Sequence, residues 1–228
     1  MNNSSASKVN ILARLQQKTA GIQRNSGNIN LHAGSSFDEG KLWSTEEKVI
    51  RLKKFMEAVH TEVHLCGLNS WVRTLHSVLE QKKISKILYG AKTDLAQELI
   101  NLKKKYPEKM PELIDYKYPV EKSKDLLFEI DAAITTVHGG IAETGSLILF
   151  PTKNEPRLMS LVPPIHIAVL YASNIYNTFR EAMISENWSS KMPTNALLIS
   201  GPSKTADIEQ TLVYGIHGCK ELVVLLIQ

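Results

Sequence analysis

The sequence has few cysteines and no long apolar segment. Its two cysteines, Cys66 and Cys219, stand far apart and predict neither a disulfide framework nor a cysteine-based metal or iron–sulfur motif. The apolar run at residues 222–227 has six residues, far fewer than the ~20 that cross a bilayer, so no membrane span is expected. No G-x-G-x-x-G pattern follows the first predicted strand, which argues against a nicotinamide or flavin dinucleotide site.

The charge of the chain is uneven but does not indicate nucleic-acid binding. Residues 1–124 contain 21 basic and 13 acidic residues, and the rest of the chain contains 6 and 10. The lysines at 82–83 and 103–105 stand at the ends of predicted helices, where cations complement the helix dipole, and no arginine-rich or aromatic-interleaved stripe accompanies them. We therefore expect no nucleic-acid partner. Because the N-terminus also lacks the apolar segment of a secretory signal, we expect a cytoplasmic protein.

Strand-like and helix-like segments alternate along most of the chain, which favours an α/β fold with a mostly parallel sheet. Strands are predicted at residues 63–66, 84–89, 114–118, 132–137, 146–150, 165–170, 196–200 and 222–227. Helices are predicted at residues 44–63, 70–80, 93–105, 122–129, 174–187 and 205–214. The closely spaced strands between 132 and 170 break the alternation and predict an antiparallel or crossing subsheet.

The N-terminal region differs from the rest of the chain. Residues 1–40 contain a short helical signal and are otherwise polar and rich in Gly, Ser and Asn, which predicts a flexible arm before a single domain at 41–228. Ser44 followed by Glu47 is a capping box, the signature of a helix start. His60 and His64 are four residues apart, but a histidine pair alone fixes no coordination geometry, so a solvated helix face is preferred and no metal site is predicted.

The central segment, residues 131–169, has the densest functional signal. Two apolar runs are separated by residues 138–146, with the sequence HGGIAETGS. Three glycines in it permit positive φ and close approach of the backbone to a ligand: Gly139, Gly140 and Gly145. Thr144, Ser146 and the neighbouring N–H groups could form a small anion-binding concavity with Glu143 at its edge. Glu143 is either a general base or a loop carboxylate that accepts backbone N–H bonds.

Charged and polar residues that follow extend this candidate site. Arg157 and Lys204 could clamp a carboxylate or phosphate, although an internal salt bridge with Glu155 or Asp207 explains them nearly as well. Three residues resemble the cap of a following helix, whose N-terminus would bind anions, and capping alone also explains them: Ser203, Thr205 and Asp207. Gly201 precedes them. His217 is the candidate acid–base group, because the glycines around it indicate an exposed turn.

Four blocks of the sequence together resemble a known family. They are GIAETGSLIL, PRLMSLVPPIHIAVL, ISGPSKTADIEQTLVYGIHG and the final ELVVLLI. In content, order and spacing they are similar to the LUD domain of LutC/YkgG-type lactate utilization proteins, from about residue 85 to the end. The resemblance implies a Rossmann-like open sheet of the type shared by glucosamine-6-phosphate deaminase, ribose-5-phosphate isomerase and coenzyme A transferases. By analogy with the transferases, Glu143 could also be a carboxylate nucleophile.

The resemblance also implies a function. It predicts a LutC-like component of the system that oxidises L-lactate to pyruvate, with LutA-like and LutB-like partner proteins holding the iron–sulfur clusters and no cofactor bound by this chain. The residues themselves support a small-anion pocket but name no reaction. A stand-alone enzyme acting on a phosphorylated sugar, a thioester or a folate stays open, as does a ligand-sensing or scaffold subunit. Because open sheets bind ligands outside the carboxyl ends of their strands, we expect the loops at 139–146 and 201–207 to share that edge.

Overall fold

The computed structural model describes residues 42–116, 126–191, 193–206, 212–215 and 218–228. The predicted arm at 1–40 lies outside these ranges, and so do the candidate site residues Asp207 and His217. Of the helix predicted at 122–129, residues 126–129 are described and are helical.

A six-stranded sheet, parallel throughout, forms the centre of the domain. Its strands, in spatial order, are β1 (Glu62–Cys66), β12 (Glu221–Ile227), β7 (Ile165–Tyr171), β4 (Ala132–Thr136), β2 (Lys86–Gly90) and β3 (Glu112–Tyr116). Parallel strands are covered on both faces, which explains why β7 and β12 read as nearly continuous apolar runs. Val223, Ile167, Ile134 and Tyr89 are register neighbours across four strands and belong to one buried cluster.

Helices cover both faces of this sheet. They are α1 (Thr45–Glu57), α2 (Trp71–Gln81) and α3 (Asp94–Lys105). Two more helices, α4 (Phe179–Ser185) and α5 (Trp188–Lys191), pack against Ile141 and Ile148, outside this sheet. Leu75 of α2 and Leu99 of α3 are fully buried in the same cluster as Ile167, and burying one leucine side chain contributes ~2 kcal/mol. On the opposite face, α1 buries Leu52 and Met56 against the even-numbered residues of β7 and β12.

A second, four-stranded sheet shares that opposite face with α1. Its strands are β8 (Ile175–Tyr176), β5 (Gly139–Ile141), β6 (Ser146–Leu149) and β9 (Leu197–Ile199). Antiparallel pairing joins β5 to β6 and β6 to β9, whereas β8 runs parallel to β5. A separate antiparallel hairpin consists of β10 (Lys204–Ala206) and β11 (Leu212–Tyr214). The predicted α/β class, with a mostly parallel sheet and an additional subsheet, is therefore confirmed.

Two predicted helices end or begin at different residues in the structure, and local contacts explain both differences. The capping box at Ser44 and Glu47 is present, but α1 ends at Glu57 instead of continuing to Val63. His60 has a φ of 66°, and the N–H of Thr61 bonds back to the Met56 carbonyl at 3.0 Å, which closes the helix end. The helix predicted at 174–187 begins only at Phe179, because residues 175–176 pair with β5.

The helix predicted at 205–214 is wrong. Lys204–Ala206 and Leu212–Tyr214 are strands paired with each other. The expectation that Ser203 and Thr205 cap a helix, and would bind an anion at its N-terminus, is withdrawn with it. None of the described helices has the length and hydropathy needed to cross a bilayer. Within the same residues, no group of three or more His, Cys, Asp or Glu side chains is arranged to hold a metal ion.

Candidate functional site

The two glycine-containing loops predicted to converge do meet, through a chain of hydroxyl groups. The Oγ of Ser146, at the start of β6, lies 2.8 Å from the Oγ of Ser200, directly after β9. The Oγ1 of Thr144 lies 2.8 Å from the same Ser146 oxygen. Ser146 is buried, whereas Thr144 and Ser200 are exposed. The chain therefore runs from the surface turn of the β5–β6 hairpin to the loop that begins at Ser200.

Both loops pack against the carboxyl-terminal end of α1. Gly145 has the positive φ that its sequence context predicted, at 63°, and a Cβ built on it would lie 2.4 Å from the Cβ of Phe55. A Cβ on Gly201 would lie 3.0 Å from the Cγ2 of Val59. The space beside Gly145 is therefore occupied by the helix, and the space on the Cβ side of Gly201 by the residue two positions after its end.

Gly139 and Gly140 lie inside strand β5, where both are buried. A Cβ on Gly139 would lie 2.7 Å from the Cε2 of Tyr176, and one on Gly140 would lie 3.1 Å from the Cδ2 of Leu170. The close approach that these glycines permit is thus made by neighbouring side chains of the protein itself.

Glu143 lies in the exposed turn between β5 and β6. Its backbone N–H donates to the Asn177 carbonyl at 3.0 Å, which anchors the turn to the segment before α4. Among the described residues, nothing donates a hydrogen bond to its carboxylate or pairs with it. The side chain is therefore free to act on a ligand or partner but is not held in a fixed geometry.

A cavity of about 260 Å³ lies between the central sheet and the loop that follows β9. Its lining combines hydroxyl, thiol and imidazole groups with apolar walls: Ser160, Leu161, His166, Leu198, Ile199, Ser200, Gly201, Ser203, Gly218, Cys219 and Leu222. Gly201 and Ser203 are predicted site residues, and Ser200 connects the cavity to Ser146 and Thr144. Arg157 lines a much smaller cavity that shares Ser160 with this one.

His166 is the most deeply buried polar group of this cavity, with 1% of its surface exposed. Its Nε2 lies 2.8 Å from the Oγ1 of Thr135 on the neighbouring strand β4. Burial lowers the pKa of His166 to about 4, so the imidazole is neutral at pH 7. Its Nδ1 is buried, and none of the described residues forms a hydrogen bond with it. A single histidine within the apolar strand β7 does not by itself indicate a cavity in the sequence.

The Gly201–Ser203 side of the site lies at the amino edge of the central sheet. The N–H of Ser203 donates to the carbonyl of Cys219 at 2.9 Å, and Cys219 stands two residues before β12. Burial raises the pKa of the Cys219 thiol to about 11, so it is protonated at pH 7. The expectation that both loops lie at the carboxyl edge is therefore wrong. Lys204 is exposed at the start of β10.

Arg157 begins a 3-10 helix, Arg157–Ser160, and its side chain is exposed. Its carbonyl accepts a hydrogen bond from the Ser160 hydroxyl at 3.0 Å, which links it to the wall of the cavity. The predicted salt bridge between Arg157 and Glu155 is absent from the described residues, since the Glu155 carboxylate is engaged elsewhere.

Glu155, considered from the sequence only as a salt-bridge partner, lines the same small cavity as Arg157. Its carboxylate accepts bonds from the N–H of Thr136, at 3.1 Å, and from the Thr136 hydroxyl, at the carboxyl end of β4. Gly90, at the carboxyl end of β2, leaves room for it, because a Cβ there would lie 2.4 Å from the Glu155 Cγ. Burial raises the pKa of Glu155, although the two bonds from Thr136 lower it. No sequence spacing could show this, because an irregular segment brings Glu155 back to the sheet.

The chain is similar to known proteins over most of its length. The LUD domain family matches residues 49–227. An uncharacterized protein of Neisseria meningitidis serogroup B is 36% identical, covering 97% of this chain and 94% of that one. A Bacillus mycoides protein named lactate utilization protein C 1 is 29% identical over 76% of each chain. A solved structure of a DUF162 family protein from Deinococcus radiodurans has the same fold, with a TM-score of 0.60, 18% identity, and coverage of 82% of this chain and 100% of that one.

Proposed function

This chain belongs to the LUD domain family, and from that membership we propose that it is a LutC-like component of an L-lactate utilization system. The observation that carries the proposal is its similarity to a protein named lactate utilization protein C 1 over three quarters of both chains. The likeness is not confined to one motif, since the family match extends from α1 to the last strand.

The proposal assigns the oxidation itself to a complex. Converting L-lactate to pyruvate releases two electrons and two protons, so an electron acceptor must take part. We assign this role to LutA-like and LutB-like iron–sulfur partner proteins. The only cysteines of this chain, Cys66 and Cys219, are both buried, the first at the carboxyl end of β1 and the second before the amino end of β12. This chain would then bind a ligand, a partner, or both.

The ligand part of the proposal concerns a small carboxylate. Arg157 is exposed next to the cavity wall at Ser160 and can form a bidentate pair with a carboxylate. Ser200 lines the same cavity as Ser160, and the hydroxyl chain through Ser146 connects it to Thr144, which follows Glu143 in the exposed turn. Lys204 adds a second exposed cation. An anionic substrate held at this surface is consistent with the charges of these side chains.

Deletion of the gene in its native host tests the proposed function. We expect growth on L-lactate as sole carbon source to fail, growth on pyruvate to be unchanged, and a plasmid copy of the gene to restore growth. The matched pyruvate culture separates a defect in lactate oxidation from a general defect in carbon metabolism. Normal growth of the deletion strain on L-lactate would contradict the proposal.

A biochemical experiment separates the complex from a stand-alone enzyme. The purified chain alone should not reduce an artificial electron acceptor with L-lactate, whereas the chain mixed with its iron–sulfur partners should. Turnover of a phosphorylated sugar, a thioester or a folate by the isolated chain would instead favour the independent enzyme. Normal lactate-dependent reduction by the partners without this chain would favour a role outside the reaction.

A further inference from the structure

The cavity around His166 has a feature that packing alone does not account for. A buried polar atom without a hydrogen-bond partner costs ~1–3 kcal/mol, and buried polar side chains in folded proteins are rarely left in this state. Within the part of the chain that the structure describes, the Nδ1 of His166 is such an atom, in a side chain that is 1% exposed and lines a cavity of about 260 Å³. The other ring nitrogen is already bonded to Thr135. A molecule in the cavity could supply the missing partner.

The described lining determines the class of molecule. It offers the hydroxyls of Ser160, Ser200 and Ser203 together with apolar walls from Leu161, Leu198 and Leu222. None of the described lining residues is Lys, Arg, Asp or Glu. An ionised group that entered would lose its hydration without gaining an opposite charge, which is strongly unfavourable. A hydroxyl, carbonyl or amide group can bond to an imidazole nitrogen and to hydroxyls without that penalty.

The size of the cavity limits the ligand as well. Ligand pockets of drug-sized molecules usually occupy ~300–1,000 Å³, so a volume of about 260 Å³ suits a smaller molecule. We infer that this cavity binds a small uncharged molecule with hydroxyl, carbonyl or amide groups, anchored on the Nδ1 of His166. The cavity adjoins the exposed groups to which the carboxylate was assigned and shares Ser160 and Ser200 with them, but its anchor, His166, lies deeper, and the inference does not depend on lactate oxidation.

Lactamide and L-lactate form a matched pair of probes, because they share a carbon skeleton and differ in charge at pH 7. The full-length protein, labelled at its leucine methyl groups, would be titrated with each compound and observed by NMR. We expect saturable shifts at the methyl groups of Leu161 and Leu222 with lactamide, in the millimolar range, and weaker or absent shifts at these methyl groups with L-lactate. Propane-1,2-diol, which is also uncharged, should behave like lactamide.

Two substitutions test the anchor and the volume. His166→Leu removes the nitrogen and should weaken lactamide binding about tenfold, the loss of one hydrogen bond. Leu198→Trp fills the cavity from a half-exposed position on the edge strand and should weaken binding at least as much, even if the first variant does not fold. Ile184→Trp, at an exposed position outside the cavity, is the control and should leave lactamide binding unchanged.

Three results would overturn the inference. If neither lactamide nor propane-1,2-diol binds saturably, the cavity holds only water. Lactamide binding that survives both His166→Leu and Leu198→Trp would place the compound elsewhere. Tighter binding of L-lactate than of lactamide at the Leu161 and Leu222 methyl groups would show that the site prefers an anion.

Discussion

The hydroxyl groups of Ser146 and Ser200, 54 positions apart in sequence, lie 2.8 Å from each other where the β5–β6 hairpin meets the end of β9. This hydrogen bond joins the two loops from which the sequence predicted a single site. It also extends the contact between neighbouring strands, since β6 and β9 pair directly, with Leu147 opposite Ile199. The junction therefore belongs to the structure of the second sheet as well as to the candidate site.

Removing the Ser146 hydroxyl should loosen this junction. Ser146 is 5% exposed and bonds to both Thr144 and Ser200, so we expect Ser146→Ala to lower the free energy of unfolding by about 1 kcal/mol. Ser200→Ala should cost less, because water reaches position 200 and Ser146 keeps its bond to Thr144. Urea denaturation of both single variants and the double variant measures the coupling. Ser173→Ala, at an exposed serine, is the control, and an effect as large as that of Ser146→Ala would contradict the assignment.

Gly145 should tolerate no side chain. Its φ of 63° costs an L-residue ~1–2 kcal/mol, and the new Cβ would lie 2.4 Å from the Cβ of Phe55, so we expect Gly145→Ala to lower the free energy of unfolding by at least ~2 kcal/mol. Gly67→Ala is the matched control, since a Cβ there meets only the Ser70 hydroxyl at 3.4 Å. Equal urea midpoints for the two variants would show that α1 shifts at Phe55 to accommodate the new Cβ at little cost in stability.

The ion cluster around Lys82 should make stability depend on pH. Its Nζ lies 2.7 Å from a carboxylate oxygen of Glu62 and 2.7 Å from one of Glu221, which ties the end of α2 to β1 and β12. Burial raises the pKa of Glu62, but hydrogen bonds from Lys82 and His64 outweigh it and hold this pKa below the usual 4.5. A lowered carboxyl pKa stabilises the fold above pH 4.5 and loses that contribution as the pH falls through the folded-state value.

Lys82→Met, which keeps most of the side-chain volume, tests this cluster. We expect it to lower the free energy of unfolding by about 1–2 kcal/mol at pH 7, because the lysine is largely buried while Glu221 is screened by solvent. The deficit relative to wild type should shrink as the pH falls below 4.5 and through the lowered pKa of Glu62. Lys104→Met, at an exposed lysine in the last turn of α3, is the control. A deficit that stays the same from pH 7 down to the acid unfolding of the protein would assign the effect to packing.

Short sequence patterns correctly predicted the helices and strands whose formation depends mainly on neighbouring residues. Ser44 and Glu47 form their capping box, and the apolar runs at β7 and β12 are buried strands. The failures occur where distant pairing overrides local preference. Residues 205–214 have helix-cap residue types, yet Lys204 pairs with Tyr214 and Thr205 with Val213 in a hairpin.

The positions of the site residues were harder to predict than the elements, for the same reason. The convergence of the 139–146 and 201–207 loops depends on the pairing of β6 with β9, which no spacing in the sequence specifies. Glu155 reaches Thr136 across 19 positions through an irregular segment. The cavity at His166 exists because residues that precede β7 and β12 pack against the loop after β9. Such relationships appear only once the sheets are assembled.

Glu143→Gln tests the predicted role of the hairpin carboxylate. Glu143 is exposed and has no partner for its carboxylate among the described residues, so we expect the thermal unfolding midpoint to remain within error of wild type. We expect slower growth on L-lactate, because the substitution removes charge and basicity at the edge of the site while it keeps the side-chain volume. Glu108→Gln, at another exposed loop position, is the control. Normal growth with Glu143→Gln would leave Glu143 as a turn residue without a role in the reaction.

Glu155→Gln should separate stability from function at the carboxyl edge of the central sheet. Burial raises the pKa of Glu155 above 4.5 against the opposing bonds from Thr136, so the folded state holds this proton more tightly than the unfolded state does. The wild-type protein therefore loses stability as the pH rises from 4.5 through the folded-state pKa, because the half-buried carboxylate must then carry a charge.

A glutamine at position 155 removes that cost and can still satisfy Thr136, since its amide oxygen accepts from the N–H and its amide nitrogen donates to the hydroxyl. We expect Glu155→Gln to be at least as stable as wild type at pH 7 in urea denaturation, and the difference to disappear below pH 4.5. Growth on L-lactate should nevertheless decline, because Glu155 lines the same small cavity as Arg157, to which we assign the ligand carboxylate. Glu80→Gln on α2 is the control. A variant that is less stable at pH 7 would instead show that the charge of Glu155 holds Thr136 and the end of β4 in place.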